Sequence, residues 1–228
     1  MKQNSFWDHN ATRYLQAKDG FYRSRGDAGR KILCSDLKLN ELKKQRILDA
    51  GCGAGDDVKY FASFGADIYG VDSSRAMISI AKARFPKLKN NFSIQNLSGM
   101  SFTNGYFDVI YSRYAIHCSR NIKLIFDEFS RILKKNGVLL VLVAHPLLGL
   151  LSKKTKNYSK KEIYELKIFQ KKFLVSSPAH IFSEYLNKNI LNKFELIDFI
   201  ESKSEKQAKE NTLSWSVPDF VVLKYKKR

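Results

Sequence analysis

The stretch that decides the fold class of this chain is ILDAGCGAGDD, residues 47–57. A short apolar run ends here in three alternating glycines, and apolar residues at helical spacing follow over 57–64. This pattern is typical of a β-strand that turns tightly into a helix. Glycines in such a turn let a ligand approach the backbone at the carboxyl end of the strand. We therefore expect a ligand site at this turn.

Strand and helix signals continue to alternate along the rest of the chain. Amphipathic segments predict further helices at 74–85 and 121–135. Strands separated by helices favour an α/β fold with a doubly wound, mostly parallel sheet. The predicted strands are 46–51, 68–72, 92–96, 107–112 and 138–144, and closing strands at 194–202 and 219–225 bring the sheet to seven.

The length of 228 residues suits a single domain, 1–228. Within it, residues 1–45 are predicted to form helices that lie over the sheet as a lid, and residues 46–146 form the ligand-binding core. Residues 147–180, rich in lysine and aromatic residues, are predicted to be an insertion of helices or loop after strand five. Residues 181–228 supply a closing helix, at 181–191, and the closing strands.

The composition excludes several classes of protein. With 44% hydrophobic and 27% charged residues, the chain can form a packed core and is not expected to be disordered. The longest apolar run, 138–151, contains proline and glycine and is shorter than the ~20 residues of a membrane span. The first ten residues lack a signal-peptide core, and the three cysteines match neither a disulfide framework nor a zinc pattern. We expect a reduced, cytoplasmic protein without a metal site or a membrane partner.

The net charge of +18 allows two interpretations. A polyanionic partner, either nucleic acid or a membrane surface, would explain it functionally. The alternative is compositional, because lysine greatly outnumbers arginine and the excess charge is spread along the whole chain. We prefer the compositional interpretation.

The residues around the glycine turn indicate which ligand it binds. A dinucleotide site has the pattern G-x-G-x-x-G, whereas here Asp56 stands at the last glycine position. Asp49, Asp56 and Asp57 bracket the turn, and each would repel a phosphate at ~4–8 Å by roughly 1 kcal/mol or more. Asp72 ends the second strand, where it can accept hydrogen bonds from both ribose hydroxyls. S-adenosylmethionine, which has a sulfonium, an ammonium group and an adenosine but no phosphate, fits this environment.

Four sequence blocks in order carry a resemblance to a known family. ILDAGCGAGDD is followed by VDSSRAM (71–77), NLSGMSFTNGYFDVIYSRYAIHC (96–118) and RILKKNGVLLVLVAHP (131–146). With these blocks the chain resembles the class I S-adenosylmethionine-dependent methyltransferases, in particular those that methylate small molecules. One departure is Asn96, where many relatives have aspartate; its amide oxygen can still accept a hydrogen bond from the adenine amino group.

The resemblance implies a set of residues that bind S-adenosylmethionine and the product S-adenosylhomocysteine. In the family, the glycine turn contacts the methionine portion and the ribose. The strand ends hold the ammonium group, the ribose hydroxyls and the adenine, and an aromatic N-terminal segment folds over the cofactor. The corresponding residues are Asp49, Gly51, Gly53, Gly55, Asp72, Ser73, Met77, Asn96, Leu97, Ser112, Trp7 and Tyr14.

Methyl transfer depends mainly on aligning the acceptor with the methyl group, and a base is needed only if the acceptor must lose a proton. We expect His117 or Tyr114, which follow strand four, to act catalytically, with His117 preferred for its unperturbed pKa near ~6.5. The alternative for His117 is a histidine that packs against the lid, and His145 is interpreted as structural. The resemblance implies that the insertion forms the acceptor pocket, where lysines such as Lys153 could meet an anionic acceptor, although a solvated basic face is preferred.

The predicted function is transfer of a methyl group to an oxygen or nitrogen of a small-molecule acceptor. One alternative is an RNA methyltransferase that uses the basic surface, and another is a cofactor-binding module without turnover. The sequence supplies no name for the acceptor and no oligomeric state.

Overall fold

The computed structural model describes residues 3–25, 27–202 and 218–228. A seven-stranded sheet with the strand order β3-β2-β1-β4-β5-β9-β8 forms its centre. The first five strands pair in parallel, and β9 runs antiparallel between β5 and β8. The strands of this sheet are β1 (Arg46–Ala50), β2 (Asp67–Asp72), β3 (Phe92–Ile94), β4 (Phe107–Arg113), β5 (Leu133–Ala144), β8 (Phe194–Glu201) and β9 (Phe220–Lys227). The predicted fold class is confirmed.

Helices cover both faces of the sheet. Neighbouring residues of β1 point to opposite faces, so Ile47 and Leu48 lie in two different buried clusters. This explains why the central strands are nearly continuous apolar runs. The α-helices are α1 (Gln3–Arg25), α2 (Ala28–Leu33), α3 (Asp56–Ala62), α4 (Arg75–Arg84), α5 (Ile122–Ile132), α6 (Pro146–Ser152) and α7 (Lys188–Leu191). Single turns of 3₁₀-helix occur at Leu39–Glu41, Ile116–Cys118 and Phe182–Glu184, and a longer 3₁₀ segment at Pro86–Asn91.

The helix starts follow the capping residues in the sequence. Ser74 accepts a hydrogen bond from the backbone N–H of Met77 at 3.1 Å, as expected of the predicted N-cap of α4. Asn121 caps α5 in the same way through the N–H of Leu124. The end of α5 was predicted wrongly, because the chain passes directly from Ile132 into β5 at Leu133. An irregularity in the β4–β5 pairing accommodates the polar residues that follow.

The insertion after β5 is present, but its content differs from the prediction. It contains α6 and a separate antiparallel hairpin, β6 (Ile163–Ile168) and β7 (Phe173–Pro178), rather than helices or loop alone. The connecting turn holds Phe169, Gln170 and Lys171 at φ values of +53°, +57° and +65°. The closing helix predicted at 181–191 is likewise replaced by the turn Phe182–Glu184 and the short α7.

The N-terminal helices pack on the domain as the sequence predicts. Helix α1 lies against α4 and β7, and α2 lies against β5 and β9. The assignment of residues 1–45 as a lid stays a prediction.

Within residues 3–25, 27–202 and 218–228, no helix has both the length and the apolarity needed to cross a membrane. The same residues contain no group of three or more His, Cys, Asp or Glu side chains that could hold a metal ion.

Candidate active site

A cavity of about 220 Å³ lies where the glycine turn meets the carboxyl ends of β2 and β4. Most of the predicted site residues line it. They are Trp7, Tyr14, Gly51, Gly53, Asp72, Ser73, Met77, Asn96, Leu97 and Tyr114. Asp49, Gly55, Ser112 and His117 lie outside this lining.

The glycine turn has a backbone that other residues rarely adopt. Gly51, Gly53 and Gly55 all lie at positive φ, at +85°, +51° and +83°. A Cβ at Gly51 would lie 2.1 Å from the Cβ of Ala115, whereas a Cβ at Gly53 would meet no atom within 4 Å. Gly53 therefore offers open backbone to a ligand, while Gly51 allows the turn and the loop after β4 to approach closely.

Asp72 links the turn to the start of α4. Its Oδ2 accepts a hydrogen bond from the N–H of Gly53 and its Oδ1 accepts one from the N–H of Ser74, both at 2.9 Å. Burial raises the pKa of Asp72, and these N–H groups oppose that shift. Each carboxylate oxygen has a second lone pair, so the side chain can also accept hydroxyl donors from the cavity.

Two of the carboxylates that bracket the turn are paired with cations, which corrects the electrostatic argument made from the sequence. Asp56 binds Lys18 of α1 and Arg84 of α4. Burial would raise the pKa of Asp56, but these two cations outweigh it and the pKa is lowered. Asp57 binds Arg30 at 2.6 Å and Arg113 at 2.8 Å. The repulsion of a phosphate by Asp56 and Asp57 is therefore largely offset.

Asp49 keeps an unpaired carboxyl oxygen. The residue is 2% exposed, and its Oδ2 has no hydrogen-bond partner among the described residues. Burial raises the pKa of Asp49 well above its usual value, and the nearby charge of Asp57 adds to this effect. An orphaned acceptor directly beneath the glycine turn is the feature that a cationic ligand would relieve.

Ser112 and Gly55 support the turn rather than line the cavity. The hydroxyl of Ser112 is fully buried and donates to the carbonyl of Ala50 at 2.8 Å. Gly55 precedes the first residue of α3, and the ring of Phe92 fills the space that a side chain at Gly55 would need. The geometry thus gives both residues a positioning role next to the predicted contacts.

The two predicted catalytic residues differ in position and in pKa. Tyr114 lines the cavity and has φ of +54°, a strained value for a non-glycine residue that is often found at functional sites. Burial, with a smaller contribution from His180, lowers the pKa of His117 to about 3. A group with such a pKa is a weak proton acceptor at neutral pH, so the reason given for preferring His117 does not hold.

The other predicted polar groups have structural partners. His145 caps α6, because its Nδ1 accepts from the N–H of Leu147 at 3.2 Å, and its Nε2 lies 2.8 Å from Glu201. This agrees with its structural interpretation. The Nζ of Lys153 is buried and donates to the carbonyls of Tyr158 and Lys160, so this lysine does not face an acceptor.

The insertion contacts α1 through aromatic rings. Trp7 stacks on Phe173 with centroids 6.5 Å apart, and Tyr14 contacts Phe169 at 5.5 Å and Phe173 at 5.4 Å. The hairpin tip therefore supports the two α1 residues that line the cavity. This agrees with a role of the insertion in building the site, and its use as an acceptor pocket remains a prediction.

Several residues that line the cavity were not predicted from the sequence. Lys18 carries no local signal, because its partner Asp56 is 38 positions away. Cys118 also lines the cavity, and burial raises the pKa of its thiol to about 12, so the group is not a thiolate nucleophile. The remaining members of this set are Cys52, Ala54, Ala115, Ser119 and Ile125. Asp56 and Asp57, which the sequence places beside the turn, and Arg113, at the end of β4, also line the cavity.

Comparison with known proteins identifies the family. Residues 48–141 match the family model described as a methyltransferase domain. Residues 48–141 of this chain are a methyltransferase domain. The recognition made from the sequence is confirmed, and S-adenosylmethionine is the cofactor of this class.

Curated relatives of the methyltransferase domain include enzymes named for small-molecule substrates. A ubiquinone biosynthesis O-methyltransferase of Pelagibacter ubique is 33% identical over 113 residues, which cover 49% of this chain and 45% of that protein. A phosphoethanolamine N-methyltransferase of Plasmodium falciparum is 33% identical over 147 residues, 62% of this chain and 54% of that protein. The matches thus span about half the length of these relatives.

A solved structure supports the fold over a longer stretch. An S-adenosylmethionine-dependent methyltransferase from Mesorhizobium loti has a TM-score of 0.70 at 20% identity, and the match covers 88% of this chain and 98% of that one. At this identity the likeness shows a shared fold. It extends the methyltransferase architecture beyond residues 48–141.

Proposed function

We propose that this chain transfers a methyl group from S-adenosylmethionine to an oxygen or nitrogen of a small-molecule acceptor. The observation that carries the proposal is the cavity, which combines the open backbone of Gly53 and the carboxylate of Asp72 with Trp7, Tyr14 and Tyr114. Gly53 and Asp72 suit a nucleoside ligand, and the three aromatic residues suit a small acceptor beside it.

The charges of the four aspartates at the glycine turn and at the end of β2 fit S-adenosylmethionine. The unpaired oxygen of Asp49 and the carboxylate of Asp72 have no ion-pair partner among the described residues, whereas Asp56 and Asp57 already have cationic partners. Burial raises the pKa of Asp49 and of Asp72, and a bound cation would favour their ionised forms. A ligand with positive charge and ribose hydroxyls matches these groups. S-adenosylmethionine brings a methyl group that is already activated by its sulfonium.

The protein's own contribution is to orient the ligands and to exclude water. Asp72 would accept hydrogen bonds from the ribose hydroxyls, and Gly51 and Gly53 would allow close approach of the ligand to the backbone. Trp7 and Tyr14 would cover the cavity, and Tyr114 would face the acceptor. In an in-line displacement the bond from the methyl carbon to sulfur breaks as the bond to the acceptor forms, and positioning accounts for most of the acceleration.

Calorimetric titration of ligand-free protein tests the proposal. We expect S-adenosylmethionine and S-adenosylhomocysteine to bind with micromolar dissociation constants, and NAD to bind no more than weakly. Methyl transfer from labelled cofactor is then measured with panels of phenols and amines and, separately, with RNA. Transfer to RNA alone would support the RNA alternative. Cofactor binding without transfer to any acceptor would support the non-catalytic module.

The position of Tyr114 in the cavity makes a testable distinction between the two predicted catalytic residues. We expect Tyr114→Phe to lower turnover while leaving cofactor affinity nearly unchanged, because the variant keeps the ring but loses the hydroxyl. His117→Ala should leave the pH dependence of turnover unchanged, since the pKa of about 3 places its titration far below neutral pH. Turnover is measured from pH 5 to pH 9. Loss of a limb of the profile in His117→Ala would restore His117 as the base.

A further inference from the structure

Lys18 connects the lid helix to the cofactor turn through Asp56. Both residues line the cavity, and they belong to different elements, Lys18 to α1 and Asp56 to the first turn of α3. Their side chains are 12% and 27% exposed, so the ion pair is screened by solvent much less than a surface pair. The pair therefore joins α1 to the glycine turn at the cavity.

Asp56 is itself held in place from the other side. Arg84, in the last turn of α4, donates to Asp56 Oδ1 at 2.7 Å and to the carbonyl of Ala54 at 3.0 Å. Its guanidinium also packs against the ring of Phe85, 5.1 Å from the centroid. Arg84 thus binds the turn and the carboxylate together, and the second oxygen of Asp56 is left to receive Lys18.

The lid helix is anchored along its length. Near its start, Asp8 accepts from the hydroxyl of Ser74 at 2.7 Å and from the N–H of Ala76 at 3.1 Å. The rings of Trp7, Tyr14 and Phe21 contact the hairpin. Lys18 lies ten residues beyond Asp8, about 15 Å along the helix, and adds an ionic contact with the glycine turn to these aromatic contacts.

We propose that Lys18 is a positioning residue whose ion pair with Asp56 holds α1 over the bound cofactor and sets the rate at which cofactor and product leave. The inference rests on the proposed binding of S-adenosylmethionine in this cavity. It assigns Asp56 to closure of the site, whereas the sequence had suggested that this carboxylate attracts the ligand's own positive charge. Asp49 and Asp72 are then the carboxyl groups that interact with the ligand.

The dissociation rate of S-adenosylhomocysteine from Lys18→Met tests the inference, and it is measured by stopped-flow displacement with tryptophan fluorescence as the signal. We expect dissociation about tenfold faster than from wild type. Lys18→Arg, which keeps the cation, should restore the wild-type rate. Lys123→Met, which removes an exposed partner of Asp127, is the matched control and should have no effect.

The double variant with Asp56→Asn separates positioning from direct contact. If Lys18 acts through Asp56, then Asp56→Asn also speeds dissociation, and Lys18→Met adds nothing further to it. Additive effects, or slower dissociation from Asp56→Asn, would mean that Lys18 binds the ligand directly and would overturn the inference. An unchanged rate in Lys18→Met would overturn it as well. If wild type binds no S-adenosylhomocysteine, the proposed function fails instead.

Discussion

Replacing Gly51 with alanine is expected to lower the free energy of unfolding by about 2–5 kcal/mol and to abolish measurable cofactor binding. The added Cβ would lie 2.1 Å from the Cβ of Ala115 at a backbone φ of +85°. The glycine turn, the loop after β4 or both must therefore move, and Tyr114 moves with its neighbour Ala115. Denaturant unfolding gives the stability change, and calorimetry with S-adenosylhomocysteine gives the affinity.

Two further variants show which part of the effect is steric. In Gly51→Ala with Ala115→Gly the colliding methyl group is absent, so only the left-handed backbone should cost stability, about 1–2 kcal/mol. Gly53→Ala meets no atom within 4 Å of the new Cβ and should lose a similar small amount. Its methyl group would nevertheless lie at the cavity and weaken cofactor binding. Wild-type stability and affinity in Gly51→Ala would mean that the turn is not packed against Ala115.

The central sheet could be predicted from the sequence because its signals are local. The first five strands contain short apolar runs, and glycine, proline or a capping residue precedes the helices that follow β1, β2, β4 and β5. The glycine turn and Asp72 are recognisable from short stretches of sequence, and both lie at the carboxyl ends of strands, where such sheets bind ligands. For these reasons the cavity contains most of the residues expected from the motifs.

The hairpin could not be predicted because its turn lacks the usual residues. Two-residue turns with positive φ normally use asparagine or glycine, whereas Phe169, Gln170 and Lys171 adopt positive φ here. Contacts of Phe169 and Phe173 with Tyr14 and neighbouring rings of α1 accompany this conformation. Such contacts join residues more than 150 positions apart, so no window of sequence reveals them.

The charge pattern of the site was likewise invisible in the sequence. Asp56 and Asp57 stand next to the glycine turn, but their cationic partners come from α1, α2, α4 and β4. The sequence around Asp56 and Asp57 contains these carboxylates but not the cationic residues that pair with them. The inference of a cationic ligand therefore rests on Asp49 and Asp72, which form no ion pair among the described residues, although Arg113 and Arg30 are near enough to oppose the rise in the pKa of Asp49.

Asp72→Ala is expected to lower the affinity for S-adenosylmethionine at least tenfold, about 1.4 kcal/mol, through loss of the hydrogen bonds to the ribose. It should also lower stability, because the N–H groups of Gly53 and Ser74 lose their partners. Each unsatisfied buried group costs about 1–3 kcal/mol. Calorimetry measures the affinity, and denaturant unfolding measures the stability.

A stability control is needed because the two effects occur together. Tyr225→Phe removes a buried hydroxyl that donates to the carbonyl of Tyr185, and neither residue lines the cavity. It should therefore reduce the free energy of unfolding by about 1 kcal/mol and leave cofactor affinity nearly unchanged. A comparable loss of affinity in Tyr225→Phe would show that general destabilisation, and not the ribose contact, accounts for the behaviour of Asp72→Ala.

A ligand without the ribose hydroxyls completes the argument. If Asp72 holds those hydroxyls, wild type should bind S-adenosylhomocysteine at least about tenfold more tightly than its 2′,3′-dideoxy analogue, and Asp72→Ala should bind the two nearly equally. The coupling between the side chain and the hydroxyls is then measured free of the stability change, since each protein variant is compared with itself. Equal discrimination by both proteins would place the ribose elsewhere and leave Asp72 only its observed bonds to Gly53 and Ser74.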